Sequence, residues 1–251
     1  MFYLPVLLLV FGSSYGFSKN RHDVADVMWS LWFISFTLST ASLFFDKISL
    51  QSWTVIGMII LWGLRLSRHI GKRFSSKKSM DARYVKLLKH TGSMTKFFKV
   101  YVLQALLAFV VLTPVTIYLM SGAQTNSWQF TIGVLIFAVG LIIETISDWQ
   151  LSSFLKSCKK GAICNSGLWG WSRHPNYFGE VVLWYGIFIA TLNNLSFTWT
   201  IVGPITITFL ILKVSGVSML EKHMQDNPKY AKYVESTPMF WPRKPNKSCK
   251  K

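Results

Sequence analysis

Seven apolar stretches, roughly 2–17, 24–45, 50–66, 97–120, 128–147, 180–195 and 197–212, run through this 251-residue chain. A helix of about 20 mostly apolar residues crosses the hydrocarbon core of a bilayer, and a series of such stretches leaves little choice of architecture. The expected fold is an all-α polytopic membrane helix bundle of about seven transmembrane helices. It forms a single membrane domain over 1–251, with N-terminal helices over 1–120, a second portion over 128–242 and a basic tail over 243–251. Composition agrees, since 51% apolar and 16% aromatic residues against 15% charged exclude a soluble chain, a disordered one, a collagen-like fibre and a small disulfide scaffold. Gly12, Ser13 and Ser14 interrupt the first stretch and would suit a signal-peptide cleavage site, but no basic residue precedes them, so the stretch is read as a span. Asn193 and Asn194 alone part the last two stretches, as in a tight helical hairpin.

Charge placement supplies the sidedness. The formal charge is +17, from 27 Lys and Arg against 10 Asp and Glu. Successive connections carry Lys19 and Arg21, then Lys47, then eleven basic residues from Arg65 to Lys99, none at 121–127, four over 148–179, none at Asn193-Asn194, and nine from Lys213 onward. Cytoplasmic loops hold the excess of Lys and Arg. Seven spans put 26 of the 27 on one side, which predicts the N-terminus outside and the C-terminus in the cytoplasm. Bacterial inner membrane and endoplasmic reticulum obey the same rule, so the sequence places the chain in one or the other. No recognised nucleic-acid fold accompanies the charge, and no nucleic-acid partner is expected. Segment 67–96 is polar enough for short interfacial helices with Tyr84, Val85, Leu87 and Leu88 as an apolar stripe. Cys158, Cys164 and Cys249 form no CxxC pair and have no His at ligand spacing, so free thiols and no metal site are expected.

Acids near or within spans are costly and become the first functional candidates. Asp23 and Asp26 bracket the start of the second stretch. Glu144 and Asp148 close the fifth, four apart and hence on one helical face, where two carboxylates repel or share a proton, cation or ligand. Asp148 alone would also suit the aqueous end of its helix. The densest polar-aromatic cluster is GLWGWSRHPNYFGE, Gly167 to Glu180. Pro175 suits a first helical turn with His174 or Ser172 at the cap, free amides there attract an anion, and Arg173 and His174 add cationic and hydrogen-bonding groups. An interfacial aromatic belt with a snorkelling Arg has the same composition. A third cluster runs from Lys213 through Ser215, Gly216, Ser218, Glu221, Lys222 and His223 to Tyr230 and Tyr233, with 217–224 as a helix end. Beyond Lys244 the tail reads as a solvated basic segment drawn to anionic headgroups. Arg65 and Arg68 adjoin a span and are the basic residues of that region best placed to bind an anion.

In order along nearly the whole chain, DVADVMW, LWGLRLSRHI, DARY, ETISDWQL, GLWGWSRHPNYFGE and KVSGVSMLEK resemble the DUF1295 family of membrane proteins. That family is similar to the C-terminal domain of steroid 5-alpha-reductases and, more distantly, to sterol reductases and isoprenylcysteine carboxyl methyltransferases. The resemblance implies a bundle that binds NADPH from its cytoplasmic side and reduces a carbon–carbon double bond conjugated to a carbonyl in a steroid-like or isoprenoid lipid. By position it implies cofactor contacts on Asp148, Arg173, His174, Asn176, Tyr177, Glu180, Lys213 and Glu221. Hydride transfer to an enone builds charge on the carbonyl oxygen and calls for a donor; Glu144 and Asp26 are the catalytic candidates, since a buried carboxyl has a raised pKa and stays protonated. The sequence departs from the steroid reductases where KVSGVSMLEKH replaces their His-rich run, and from the methyltransferases where Glu221-Lys222 replaces a Glu-Glu pair. Two alternatives remain, an S-adenosylmethionine-dependent methyltransferase, suggested by the RHPNY element, and a non-catalytic lipid-binding protein of the same fold. Oligomeric state has no signature in this chain.

Overall fold

A computed structural model describes residues 3–158 and 161–244. Cys249, the tail beyond Lys244 and the side chain of His223 lie outside the described residues. The elements are helical, with no strand among the described residues: α1 (Tyr3–Ser18), α2 (Val24–Leu43), α3 (Leu50–Ser76), α4 (Ala82–Leu87), α5 (Ser93–Lys96), α6 (Leu103–Val111), α7 (Thr113–Ser121), α8 (Ser127–Ser157), α9 (Pro175–Thr191), α10 (Val202–Phe209), α11 (Val217–Met224) and α12 (Pro228–Ser236). Five stretches among them are long and apolar enough to cross a membrane: Val24–Leu43, Leu50–Ser76, Ser93–Val111, Ser127–Ser157 and Leu195–Lys222. The chain is an all-α membrane bundle. Helices α1 and α9, of 16 and 17 residues, span only about 25 Å at 1.5 Å per residue. The chain divides into two compact units, one running to Phe130 and including Thr191–Gly203, the other comprising Thr131–Ala190 and the residues from Pro204 onward.

In the first unit α2 packs against α1, α3, α6 and α7. Trp32, Phe33, Ile59, Trp62, Tyr101, Leu112 and Leu119 are fully buried, and Phe33 meets Trp62 edge-on at 5.1 Å between centroids. Lipid tails are as apolar as these side chains, so close packing rather than escape from water holds such helices together. Gly16 illustrates this, since a Cβ there would lie 1.8 Å from Tyr101 Oη. Helix α3 was expected to end near 66 and runs on to Ser76. Its last turn is held by Arg21, which donates to Lys77 O at 2.7 Å and Phe74 O at 3.2 Å and lies 4.1 Å from the Phe74 ring centroid. The expected continuous span 97–120 is instead broken between α6 and α7. Pro114 starts the second piece because it cannot donate into a continuing helix, and Gly203 packs against Val111 O at the break.

In the second unit α8 and α9 touch backbone to backbone. A Cβ on Gly140 would lie 2.6 Å from Gly179 O, and one on Gly186 would lie 2.5 Å from Phe137 N. Gly133 and Gly140 are seven apart on α8, as are Gly179 and Gly186 on α9, so each pair lies on one face and lets the helices approach. Asp148 is not at an aqueous helix end, because α8 continues nine residues beyond it to Ser157. The close approach sets Glu144 against Gly179, whose Cβ would lie 2.7 Å from Glu144 N, and carries Asp148 alongside the start of α9.

Candidate functional site

Helix α9 begins immediately after a loop whose side chains point inward. Gly167 takes φ +59, which a Cβ would strain, and Gln150 of α8 accepts from Leu168 N at 3.0 Å. Trp169 is buried and donates from Nε1 to Ser147 O at 3.0 Å. Ser172 Oγ accepts from His174 N at 3.1 Å and donates to Phe240 O at 2.9 Å, so of the two expected cap residues it is Ser172 that takes the backbone amide. Arg173 N donates to Pro238 O at 2.9 Å. These bonds turn Arg173 and His174 into the second unit.

There the two side chains meet Glu221 of α11. His174 Nε2 lies 2.8 Å from Glu221 Oε1, Arg173 Nε lies 3.3 Å from the same oxygen, and Tyr230 Oη donates to it at 2.6 Å. Burial pushes the His174 imidazole below its ordinary value, outweighing the pull of Glu221. The neutral ring then carries its proton on Nε2 to donate to the carboxylate. Burial, followed by Glu221, pushes the Tyr230 phenol up, so it remains a donor. Arg173 is only 8% exposed, and its Nη1 has no hydrogen-bond partner among the described residues. A buried guanidinium N–H left unmatched costs about 1–3 kcal/mol and offers an anionic oxygen a ready position.

Asn176 donates from Nδ2 to Asp148 Oδ1 at 3.2 Å, while its Oδ1 has no partner among the described residues. The Tyr177 ring stacks on His174, 5.8 Å between centroids, and a Cβ on Gly216 would lie 3.2 Å from it. Glu144, Asp148 and Glu180 are buried. The second unit therefore contains Glu144, Asp148, Arg173, His174, Asn176, Tyr177, Glu180 and Glu221 on α8, α9, α11 and the α9 entry loop. Lys213 belongs to the same unit but is exposed on a π-helical segment, Leu210–Val214. Tyr230 and Tyr233 stand in the third sequence cluster, but the sequence assigned them no role. Their signal was Asn227-Pro228, a cap and first-turn pair, followed by tyrosines three apart on one helical face. Tyr233 Oη donates to Trp169 O, holding the loop from beneath.

Asp26 requires a correction. It was expected as a buried, protonated donor, but it lies in the first unit and is ion-paired with Arg83 at 2.7 Å. Tyr84 Oη also donates to it at 2.7 Å. Both of its oxygens are therefore taken by donors, Oδ2 by Arg83 and Oδ1 by Tyr84, which leaves the carboxyl engaged in a local network rather than facing a substrate. Tyr84 is buried rather than part of an interfacial stripe, whereas Val85 and Leu87 are exposed as that stripe required. Arg65 and Arg68 ride on α3 in the first unit.

A family model described as a protein of unknown function, DUF1295, matches residues 15–237. The chain belongs to the DUF1295 family. It is similar to the steroid 5-alpha-reductase DET2 of Gossypium hirsutum, 32% identical over 110 residues, covering 43% of this chain and 42% of that protein. It resembles DET2 of Arabidopsis thaliana at 30% over 114 residues, 43% of this chain and 41% of that one. An uncharacterized protein of Schizosaccharomyces pombe, C594.04c, is 22% identical over 259 residues, covering 90% of this DUF1295 chain and 74% of the yeast protein. The chain thus matches less than half the length of either reductase.

Proposed function

We propose that this DUF1295 protein is an integral membrane oxidoreductase that binds NADPH at the Arg173 cluster and reduces a carbon–carbon double bond conjugated to a carbonyl in a steroid-like or isoprenoid lipid. The observation that carries the reading is the buried guanidinium of Arg173 with Nη1 unmatched, beside an unmatched Asn176 Oδ1. Arg173 would pair a phosphate, Asn176 an amide or ribose hydroxyl, and the ring pair His174 and Tyr177 would offer an aromatic face. The two steroid 5-alpha-reductase relatives support the reaction class. NADPH supplies the hydride; this chain's residues fix its position and exclude water in a bilayer-embedded site. Glu144, one turn from Asp148 on α8, is the remaining candidate for the group that faces the developing oxyanion.

The test is an NADPH fluorescence titration of the purified chain in detergent or nanodiscs. Saturable binding that Arg173→Ala and Asn176→Ala weaken supports the reading. Saturable binding of S-adenosylmethionine, with none of NADPH, would overturn it.

A further inference from the structure

The aromatic residues around the α9 entry divide into two sets. Trp169 is buried, whereas Trp171 is 46% exposed and Trp241 73% exposed, with Met239 also exposed. The outward-facing set lies on two segments tied together. Arg243 N donates to Trp171 O, and Arg173 N donates to Pro238 O, both at 2.9 Å. Ser172 Oγ bonds Phe240 O from within that register, and the Phe178 ring meets Phe240 and Trp241, each 5.7 Å between centroids. Residues 238–243 therefore form a strap lying along 171–173. The strap and the segment beside it present the exposed indoles of Trp241 and Trp171, with the exposed cations Arg243 and, one residue on, Lys244, and the sequence has no Asp or Glu from Ser236 to the end.

We infer that this strap is a docking surface for the anionic headgroups of the bilayer, and that docking steadies the backbone that presents Arg173 to its ligand. Indoles favour the headgroup level, where one face is apolar and the N–H is wet, and Lys or Arg at an anionic surface adds about fivefold to attachment per residue. The occupant is a lipid because the edge pairs apolar rings with cations and carries no acid. Its effect reaches the site through three bonds already in place, from Pro238 O, Phe240 O and Arg243 N to residues 171–173.

The full-length protein is reconstituted in nanodiscs of phosphatidylcholine, with and without phosphatidylserine. Peptide-level hydrogen exchange over 171–178 and quenching by brominated lipid are read in each. With phosphatidylserine, exchange should slow at least about fivefold, and the Trp241 share of the quenching, taken as wild type minus Trp241→Phe, should rise. Arg243→Glu with Lys244→Glu should abolish both changes while leaving exchange over α2 and α3 unaltered. Equal exchange and equal quenching in the two lipid mixtures overturn the inference. Only one further arm rests on the function proposed above, namely NADPH affinity, which should tighten severalfold with phosphatidylserine. If exchange and quenching respond but NADPH never binds, the cofactor reading falls and the docking surface stands. If NADPH binds equally in both mixtures while exchange responds, the coupling to Arg173 falls.

Discussion

Each unit has a network built on carboxylates, and the two are finished differently. In the first unit Asp23, Asp26 and Asp81 are matched on every side. Arg21 is bidentate on Asp23, Arg83 bridges Asp26 and Asp81, Lys77 reaches Asp81 at 3.2 Å, and Tyr84 fills the gap between Asp26 and Gln104. In the second unit Glu221 Oε1 gathers Arg173, His174 and Tyr230, yet Arg173 Nη1 has no partner among the described residues. In the first network every carboxylate oxygen has a donor, although Gln104 Oε1 has none among the described residues, and these bonds pin the 77–88 connection to the start of α2 and the end of α3. The second network, more deeply buried at Arg173 and His174 than the first is at Arg83 and Lys77, bears a cost that a bound anion would relieve.

The contrast is most exposed to Glu221→Gln. Removing the charge that compensates a buried guanidinium should destabilise the protein by about 3 kcal/mol and weaken NADPH binding, read by thermal unfolding and by titration. A variant as stable as wild type would mean that Glu221 does not hold the cluster. Next comes Arg173→Ala, expected to lower NADPH affinity by about 10–100-fold, the worth of one charge-assisted hydrogen bond, with a smaller loss of melting temperature than Glu221→Gln, because His174 and Tyr230 still contact the carboxylate. Arg83→Ala should do the opposite, costing about 1 kcal/mol for a half-exposed ion-pair bridge and leaving NADPH affinity unchanged. Reduced affinity there would make the first network part of the binding machinery and end the distinction.

The smallest effect is a difference in pH window. His174 is held below its ordinary value near 6.5 by burial. Its neutral form is favoured in the fold, so its stabilisation is complete above that value and is lost as acid protonates the unfolded chain first. Asp81 is raised by burial, but the Arg83 backbone and side chain and Lys77 override this and hold it well below its ordinary value. Its stabilisation is complete above about pH 4 and declines only below that. Protection against hydrogen exchange, with the intrinsic pH dependence of amide exchange divided out, should therefore fall over 171–178 between pH 7 and 5, while protection over 79–86 stays flat. Simultaneous loosening of both segments would contradict the assignment.

The apolar stretches were legible because a span is a property of consecutive residues, and each falls on helix. The ends were less so. Extension of α3 to Ser76 depends on Arg21, which is remote in sequence, and α8 runs past Asp148. At the site, RHPNY marked the residues, but composition could not separate a lipid-facing belt from a binding cluster. Burial divides the stretch itself, with Trp171 exposed and Arg173 buried within three residues.

Taken alone, the sequence determined that the chain is a basic, helical membrane protein of the DUF1295 type, since run length, charge and ordered motifs are one-dimensional quantities. Only the tertiary structure decided that Asp26 is a paired structural carboxylate and that Glu221 collects Arg173, His174 and Tyr230. It also decided that Arg173 Nη1 is buried with no hydrogen-bond partner among the described residues. Partnership between buried charges depends on distances across helices, and those are set when α8, α9, α11 and α12 pack.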